Sequence, residues 1–333
     1  MKVLQELRAR AADRPGHIVL SEGEDARIVA GALNALRNGI AQVTLLGAPD
    51  KVRSHLKSLG CATSDDINIE DPKTSPRAEE FAQAYFDLRK HKGISEETAA
   101  VQARNPLIFA AMMVRNNYAA GTVGGAVATT SETVRAALQI IGKAPDAPIV
   151  SSFFLMALPE DHPSGRKAMV FSDCGLVIDP DADELAAIAA ASAHSYQQLV
   201  GDAPKLAFLS FSTMGSARHA AVTKVTDALA LFKSKQSDIA ADGELQFDAA
   251  FVPAVAATKA PESSVGGSAN VMIFPNLDAG NIGYKIAQRM GGAQAIGPVL
   301  QGLAKPANDL SRGCVADDVT NMIAVTVLQS NHP

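Results

Sequence analysis

Cysteine is scarce in these 333 residues: only Cys61, Cys174 and Cys314 occur, odd in number and far apart. No CxxC pair exists, which argues against a disulfide framework and a thiolate zinc site and leaves three reduced thiols as the expectation. No metal is expected, since His, Cys and Asp never cluster with ligand spacing. No run approaches the roughly 18 uninterrupted apolar residues of a membrane span. The opening stretch, MKVLQELRARAADRPGH, has no signal-peptide core. A cytoplasmic protein without membrane contact is therefore expected. Basic blocks are also missing. With 30 Lys and Arg against 35 Asp and Glu, the net charge is −5, which argues against a nucleic-acid partner. An anionic substrate must then be held by a few placed cations, because the global field does not help.

What is present is a large apolar fraction, 47% against 20% charged, enough for a sizeable core. Short apolar runs alternate with longer helical patterns, the signature of βα units around parallel sheets. HIVLSEG (17–23) and QVTLLG (42–47) read as strands, and 25–39 and 81–93 as helices closed by glycine. A second series starts near Ile149. It contains the strands IVSSFFLMAL and KAMVFSD, a long helix ending at Gly201, and the apolar strand 205–213. Met214 onward reads as helix, FDAAFVPAV and ANVMIFP continue the alternation, and NIGYKIAQRMGG is helical. GKAPDAP (142–148) and AIGPVLQGLAKP (295–306) read as crossings between domains, and 315–329 as the terminal helix. The predicted class is a two-domain α/β fold with parallel-type sheets flanked by helices. Domain I comprises 1–145 plus 298–333, and domain II comprises 146–297.

Two stretches stand out chemically. In GTVGGAVATTSETVRAALQIIG (121–142), glycines and threonines precede a helix, and Thr129 and Glu132 have capping-box spacing. Free N–H groups and a positive dipole end suit phosphate there, with Arg135 one turn on. A capped structural helix with a surface arginine reads equally well. No Walker A or dinucleotide fingerprint accompanies the glycines. In QGLAKPANDLSRGCVADDV (301–319), a long polar loop carries Ser311, Arg312, Cys314, Asp317 and Asp318. Arg312 suits an anion and Asp318 a proton. Equally, the aspartates complement a helix N-terminus and Arg312 forms a surface ion pair.

These stretches, together with SEGEDARIVAGA (21–32), NPLIFAAMMV (105–114), LSFSTMGSA (209–217), DGELQFDAAFVP (242–253) and the long FPNLDAGNIGYK…NDLSRGC run (274–314), resemble the phosphate acetyltransferase (phosphotransacetylase) family over nearly the whole chain. The resemblance implies acetyl-CoA + phosphate ⇌ acetyl phosphate + CoA, an active site in the interdomain cleft, and a homodimer. Coenzyme A is then a substrate, with no permanently bound cofactor.

By motif match, Arg312 binds the phosphate, with Arg135 and Arg89 as cationic companions. Ser311 positions the substrate, and Asp318 takes the thiol proton. Thr129, Thr130, Ser131, Asn281, Lys285, Ser212 and Thr213 are substrate-contact candidates, with Asn281 read as capping its helix. Ala136, where the family commonly has proline, and Gly175–Ile178 are departures. Cys314, His194, His219, Asp242, Glu244 and Asp248 read as structural. Alternatives are transfer of propionyl or butyryl groups, and a non-catalytic CoA-sensing module. The start at Met1 with no fused partner and the intact SRGC and Asp318 weigh against the sensing module.

Overall fold

The computed structural model describes residues 1–61 and 67–331. The chain divides into two compact units, Glu6–Pro145 with Leu303–Pro333, and Asp146–Gly302 with Met1–Gln5. In chain order the first series runs α1 (Lys2–Asp13), β1 (Gly16–Leu20), α2 (Ala26–Arg37), β2 (Ala41–Leu46), α3 (Pro49–Ser58) and β3 (Asn68–Glu70). It continues with α4 (Ala78–Arg89), α5 (Glu96–Gln102), α6 (Pro106–Arg115), β4 (Gly121–Gly124) and α7 (Thr130–Ile140). The local chemistry sets these boundaries. Asp25 accepts the Arg27 N–H to start α2, Asn105 accepts from Leu107 ahead of Pro106 to start α6, and Gly93, at φ +78°, turns the chain after α4.

The second series is β5 (Ser151–Ala157), β6 (Ala168–Ser172), α8 (Ala182–Val200), β7 (Lys205–Leu209), α9 (Ala220–Lys235) and β8 (Ala240–Leu245). Then come α10 (Phe247–Phe251), α11 (Pro253–Lys259), β9 (Val271–Ile273), α12 (Leu277–Arg289) and β10 (Gln294–Gln301). The chain finally contributes β11 (Ala307–Asp309) and α13 (Ala316–Ser330) to the first unit.

The sheet of the first unit has the order β11-β4-β1-β2-β3 with every pairing parallel. Buried on both faces by helices, such strands need continuous apolar runs, and HIVL and VTLL supply them. The chain places β2 and β3 to one side of β1 and β4 to the other. The strand order therefore reverses between β1 and β4, and a crevice opens at their carboxyl ends. The segments leaving β1, β4 and β11 all emerge at that edge. The second unit holds a mixed sheet, β10-β5-β6-β9-β7-β8, in which β5 runs antiparallel to both β6 and β10.

Several sequence expectations are corrected here. The strand of 205–213 stops at Leu209, and its polar second half is a loop. FDAAFVPAV forms α10 and α11, because Pro253 suits a helix first turn and the alanines favour helix. The helix expected from Met214 starts only at Ala220, where the His219 ring accepts the Ala221 N–H. AIGPVLQ is the edge strand β10, whose register shifts at Ile296/Val299 around Gly297–Pro298, an irregularity that an edge tolerates. The polar loop before SRGC contains β11.

Helix α13 lies on α2 at a glycine. A Cβ added at Gly31 would stand 2.5 Å from Val319 Cβ and 2.7 Å from Ala316 O, and Thr320 Oγ1 donates to Gly31 O at 3.2 Å. Gly31→Ala is expected to cost about 1–3 kcal/mol through overpacking, read as a lowered denaturant midpoint. An unchanged midpoint would mean that α13 shifts without penalty.

Candidate functional site

The start of α7 is built as the spacing requires. Glu132 N–H donates to Thr129 Oγ1 at 3.3 Å, and Thr129 N–H donates to Glu132 Oε2 at 2.8 Å. The glycine-rich approach differs from the expectation of an open phosphate cradle. The N–H groups of Ala126, Val127 and Ala128 donate to the Glu22 carboxylate at 2.7, 3.1 and 2.7 Å. A side chain from the end of β1 thus fills the concavity. Among the described residues, the N–H groups of Thr130 and Ser131 carry no hydrogen-bond acceptor, so these are the donors left at the helix end. Arg135 is exposed, one turn further, 3.4 Å from Ser131 Oγ.

Ser311 and Arg312 lie exposed on the loop between β11 and α13. Arg27 Nη1 donates to the carbonyls of Arg312 and Cys314 at 2.7 and 3.2 Å, while its Nη2 donates to Ala126 O at 2.8 Å. One guanidinium therefore joins the loop before α7 to the loop before α13. Asp25 grips the same guanidinium at 2.9 and 3.0 Å, and this pair raises the Arg27 pKa. The sequence reading gave Arg27 no role. The available signal was an Arg two residues after the helix-capping Asp25, at the carboxyl edge of a parallel strand.

Asp318, in the first turn of α13, accepts the Val315 N–H on Oδ2 at 3.0 Å, the helix-start contact that its position suggests. Asp317 pairs with Arg8. Arg89 ends α4 with its Nε buried and without a hydrogen-bond partner. Among the described residues no carboxylate pairs with Arg89, Arg135 or Arg312, although the chain is acidic overall. Cys314 is buried. Burial pushes its thiol pKa up, with Arg27 rather than Arg312 supplying the opposing pull, so it is held as a thiol. Ala136 is a buried interior residue of α7. There a proline would remove a helix hydrogen bond, and alanine keeps the helix regular.

A cavity of about 580 Å³ opens at the carboxyl ends of β1 and β2, lined in part by Glu22, Leu46, Asn105, Leu107, Val127 and Glu132. Among the described residues no group of His, Cys, Asp and Glu is arranged to hold a metal, and no helix is long and apolar enough to cross a membrane.

The remaining candidates lie in the second unit. Ser212 is fully buried, and its hydroxyl donates to Glu244 at 2.6 Å. Thr213 is also buried, and its Oγ1 accepts the Gln246 N–H. Asn276, not Asn281, caps α12. Asn281 instead donates to Cys174 O at 3.0 Å and accepts from Lys285 at 2.7 Å. Asp173 gathers the N–H groups of Gly175, Leu176 and Val177, which gives the departure in that run a local backbone role.

The family model for phosphate acetyl/butaryl transferase matches residues 2–327. A phosphate acetyltransferase of Paracoccus denitrificans is 49% identical over 332 residues, spanning 99% of this chain and all of that protein. A phosphotransacetylase structure from Streptococcus pyogenes superposes with a TM-score of 0.92 at 41% identity, covering 100% of this chain and 99% of the other. The EutD phosphotransacetylase structure from Staphylococcus aureus gives 0.87 at 41% identity, covering 99% and 98%. The family read from the motifs is the one these comparisons return.

Asp309, the last residue of β11, is fully buried, and neither carboxyl oxygen has a partner in bonding geometry. Burial pushes its pKa up to about 6. Glu22 adds to the rise, and the nearby Thr130 and Thr133 hydroxyls and the Leu310 N–H oppose it. The folded state therefore holds this proton more tightly than the unfolded chain. Its contribution to stability is full below about pH 4, falls as pH rises to about 6, and is level above, a loss on the order of 3 kcal/mol. Asp309→Asn removes the charge but keeps the shape. It should unfold at a higher midpoint than the parent at pH 7 and lose the pH 4–6 slope. An unaltered slope in the variant would assign that slope to other groups.

Proposed function

We propose that this chain, which belongs to the phosphate acetyl/butaryl transferase family, transfers acetyl reversibly between coenzyme A and inorganic phosphate, with Arg312 and Arg135 as the phosphate ligands. The observation that carries the site assignment is the Arg27 guanidinium bonded to both Ala126 O and Arg312 O. It ties the two motif-bearing loops into one locus of the first unit. Two guanidiniums that form no ion pair with a carboxylate among the described residues, Arg312 on the loop before α13 and Arg135 early in α7, suit a dianionic ligand, which each grips in bidentate fashion. Thr129, Thr130 and Ser131 offer hydroxyl and N–H donors beside them. Arg89 is a third cationic companion for the phosphate, and in the second unit Asn281 and Lys285 are candidate substrate contacts. Cys174 and Cys314 stay as thiols in the fold rather than forming disulfides, which supports a cytoplasmic setting.

In this reading CoA and acetyl phosphate are bound together. Asp318 takes the proton from the CoA thiol, because only the thiolate attacks well. Sulfur bonds to the acetyl carbonyl carbon, and the carbonyl electron pair moves onto oxygen. Collapse of that oxyanion re-forms the carbonyl and breaks the carbon–oxygen bond to phosphate, which leaves as an anion held by the arginines. Ser311, adjacent to Arg312, orients the reacting group. The proton on Asp318 then passes to solvent or to the departing phosphate.

Helix α12 carries Ile282 and Ile286, and Met290 follows at its C-terminal cap, the three at four-residue spacing and 58%, 53% and 85% exposed. An exposed apolar stripe of that kind is best buried against a second copy, which supports a homodimer. Ile286→Glu should shift sedimentation from dimer to monomer. A parent protein that sediments as a monomer would overturn this.

A thiol-release assay with acetyl-CoA and phosphate, run beside propionyl- and butyryl-CoA, tests the function. Turnover of acetyl-CoA is expected, and none with any acyl-CoA would sink it. In the opposite direction, with acetyl phosphate and CoA as substrates, Arg312→Ala should raise the KM for acetyl phosphate strongly, with Arg312→Lys restoring only part, since an ammonium lacks the planar fork. Asp318→Asn should lower kcat by roughly 10²–10⁴-fold with both substrate affinities near normal. Normal turnover with a lowered thermal midpoint would confine Asp318 to the helix start.

A further inference from the structure

Glu22 leaves β1 at the point where the strand order reverses, and no step of the reaction above uses it. Its two carboxylate oxygens receive three consecutive backbone N–H groups, from Ala126 on Oε2 and from Val127 and Ala128 on Oε1. Three successive amides turned to one side form a concavity that selects an anion. The chain approaches it through Gly124 and Gly125, where added Cβ atoms would fall onto Ser21 Oγ and Asp309 Oδ1. Neither of those two buried atoms accepts from the loop's amides, and on that side the backbone is tied through Leu310 N–H donating to Gly124 O at 2.7 Å. On the carbonyl side, Arg27 holds Ala126 O. The residues that follow at once are Thr129, the helix cap, and Thr130 and Ser131, whose N–H groups are open.

We propose that Glu22 is a positioning residue for acyl transfer. By filling the amide concavity of 126–128, it fixes the start of α7, and with it the Thr130 and Ser131 donors and Arg135, without touching substrate. It also reserves the concavity for a side chain, so that phosphate is left to the arginines. This inference rests on the assignment of Arg135 and Arg312 to the phosphate. A misplacement of about 1 Å at a reacting group costs on the order of 100-fold, so release of this loop should be visible in the kinetics.

The test compares Glu22→Gln and Glu22→Ala with Arg135→Ala and Arg312→Ala. It uses the full chain and acetyl phosphate with CoA, well below each variant's thermal midpoint. Glu22→Ala is expected to lose roughly 100-fold in kcat/KM for acetyl phosphate. Glu22→Gln, which keeps one acceptor oxygen, should fall between it and the parent, and the KM for CoA should move less than that for acetyl phosphate. Should Glu22→Ala fail to fold, Glu22→Gln alone carries the comparison. Parent-like constants in the Glu22 variants, whatever their thermal midpoints, beside crippled arginine variants would overturn the inference while leaving the site standing. Parent-like constants in the arginine variants would instead overturn the phosphate assignment on which it rests.

Discussion

Much of the first unit's chemistry depends on one guanidinium. Arg27 donates to Ala126 O, Arg312 O and Cys314 O, three carbonyls from two loops that are distant in sequence, and Asp25 balances its charge. Carbonyl acceptors fix backbone positions, whereas side-chain acceptors would leave the loops free to move. Charge-assisted bonds of this kind are worth more than neutral ones, and a planar fork sets direction as well as strength. Because Asp25 also caps α2, the joint is anchored to a helix that packs on α13 at Gly31. The separation between Arg135 and Arg312 is thus referred back to rigid elements of a single unit.

Electrostatics follows from the same arrangement. An acidic chain would repel phosphate if its carboxylates faced the ligand. Here Glu22 is turned to backbone amides, Asp25 to Arg27, Glu24 to Lys51, and Glu132 to the α7 cap. Among the described residues the arginines at the end of α4, in α7 and on the α13 loop form no ion pair with a carboxylate. Local pairing, not net charge, sets the field around these arginines.

The βα alternation, the capped α7 helix and the family were legible in the sequence because each rests on local pattern. Apolar runs bounded by glycine gave β1 and β2 of the first unit closely, whereas the short β3, β4 and β11, with little apolar signal, were not read as strands, and Thr129 with Glu132 gave the cap. The failures share a cause in tertiary context. Pro298 looks like a strand breaker, and only an edge position with a register shift accommodates it. FDAAFVP reads as strand until β8, spelled AADGEL with little apolar signal, takes that place in the sheet. Asn281 and Asn276 are equally good caps by composition, and the true first turn selects the earlier one. At the site, the glycine-rich phrase suggested free amides, and nothing local to it reveals that Glu22, about a hundred residues earlier, occupies them. Arg27 was hidden for the same reason, since its partners are carbonyls, which carry no sequence signature.

The carboxylate-capped loop also alters how this region exchanges with solvent. Amides outside helices and sheets ordinarily trade their hydrogens quickly, because local opening costs little. The N–H groups of Ala126, Val127 and Ala128 open only when the Glu22 carboxylate withdraws, and Arg27 holds the chain at Ala126. A deuterium map of the protein should therefore show a protected island between β4 and α7, flanked by fast-exchanging Thr130 and Ser131. Occupation of those two amides by a bound anion would extend the island by one turn.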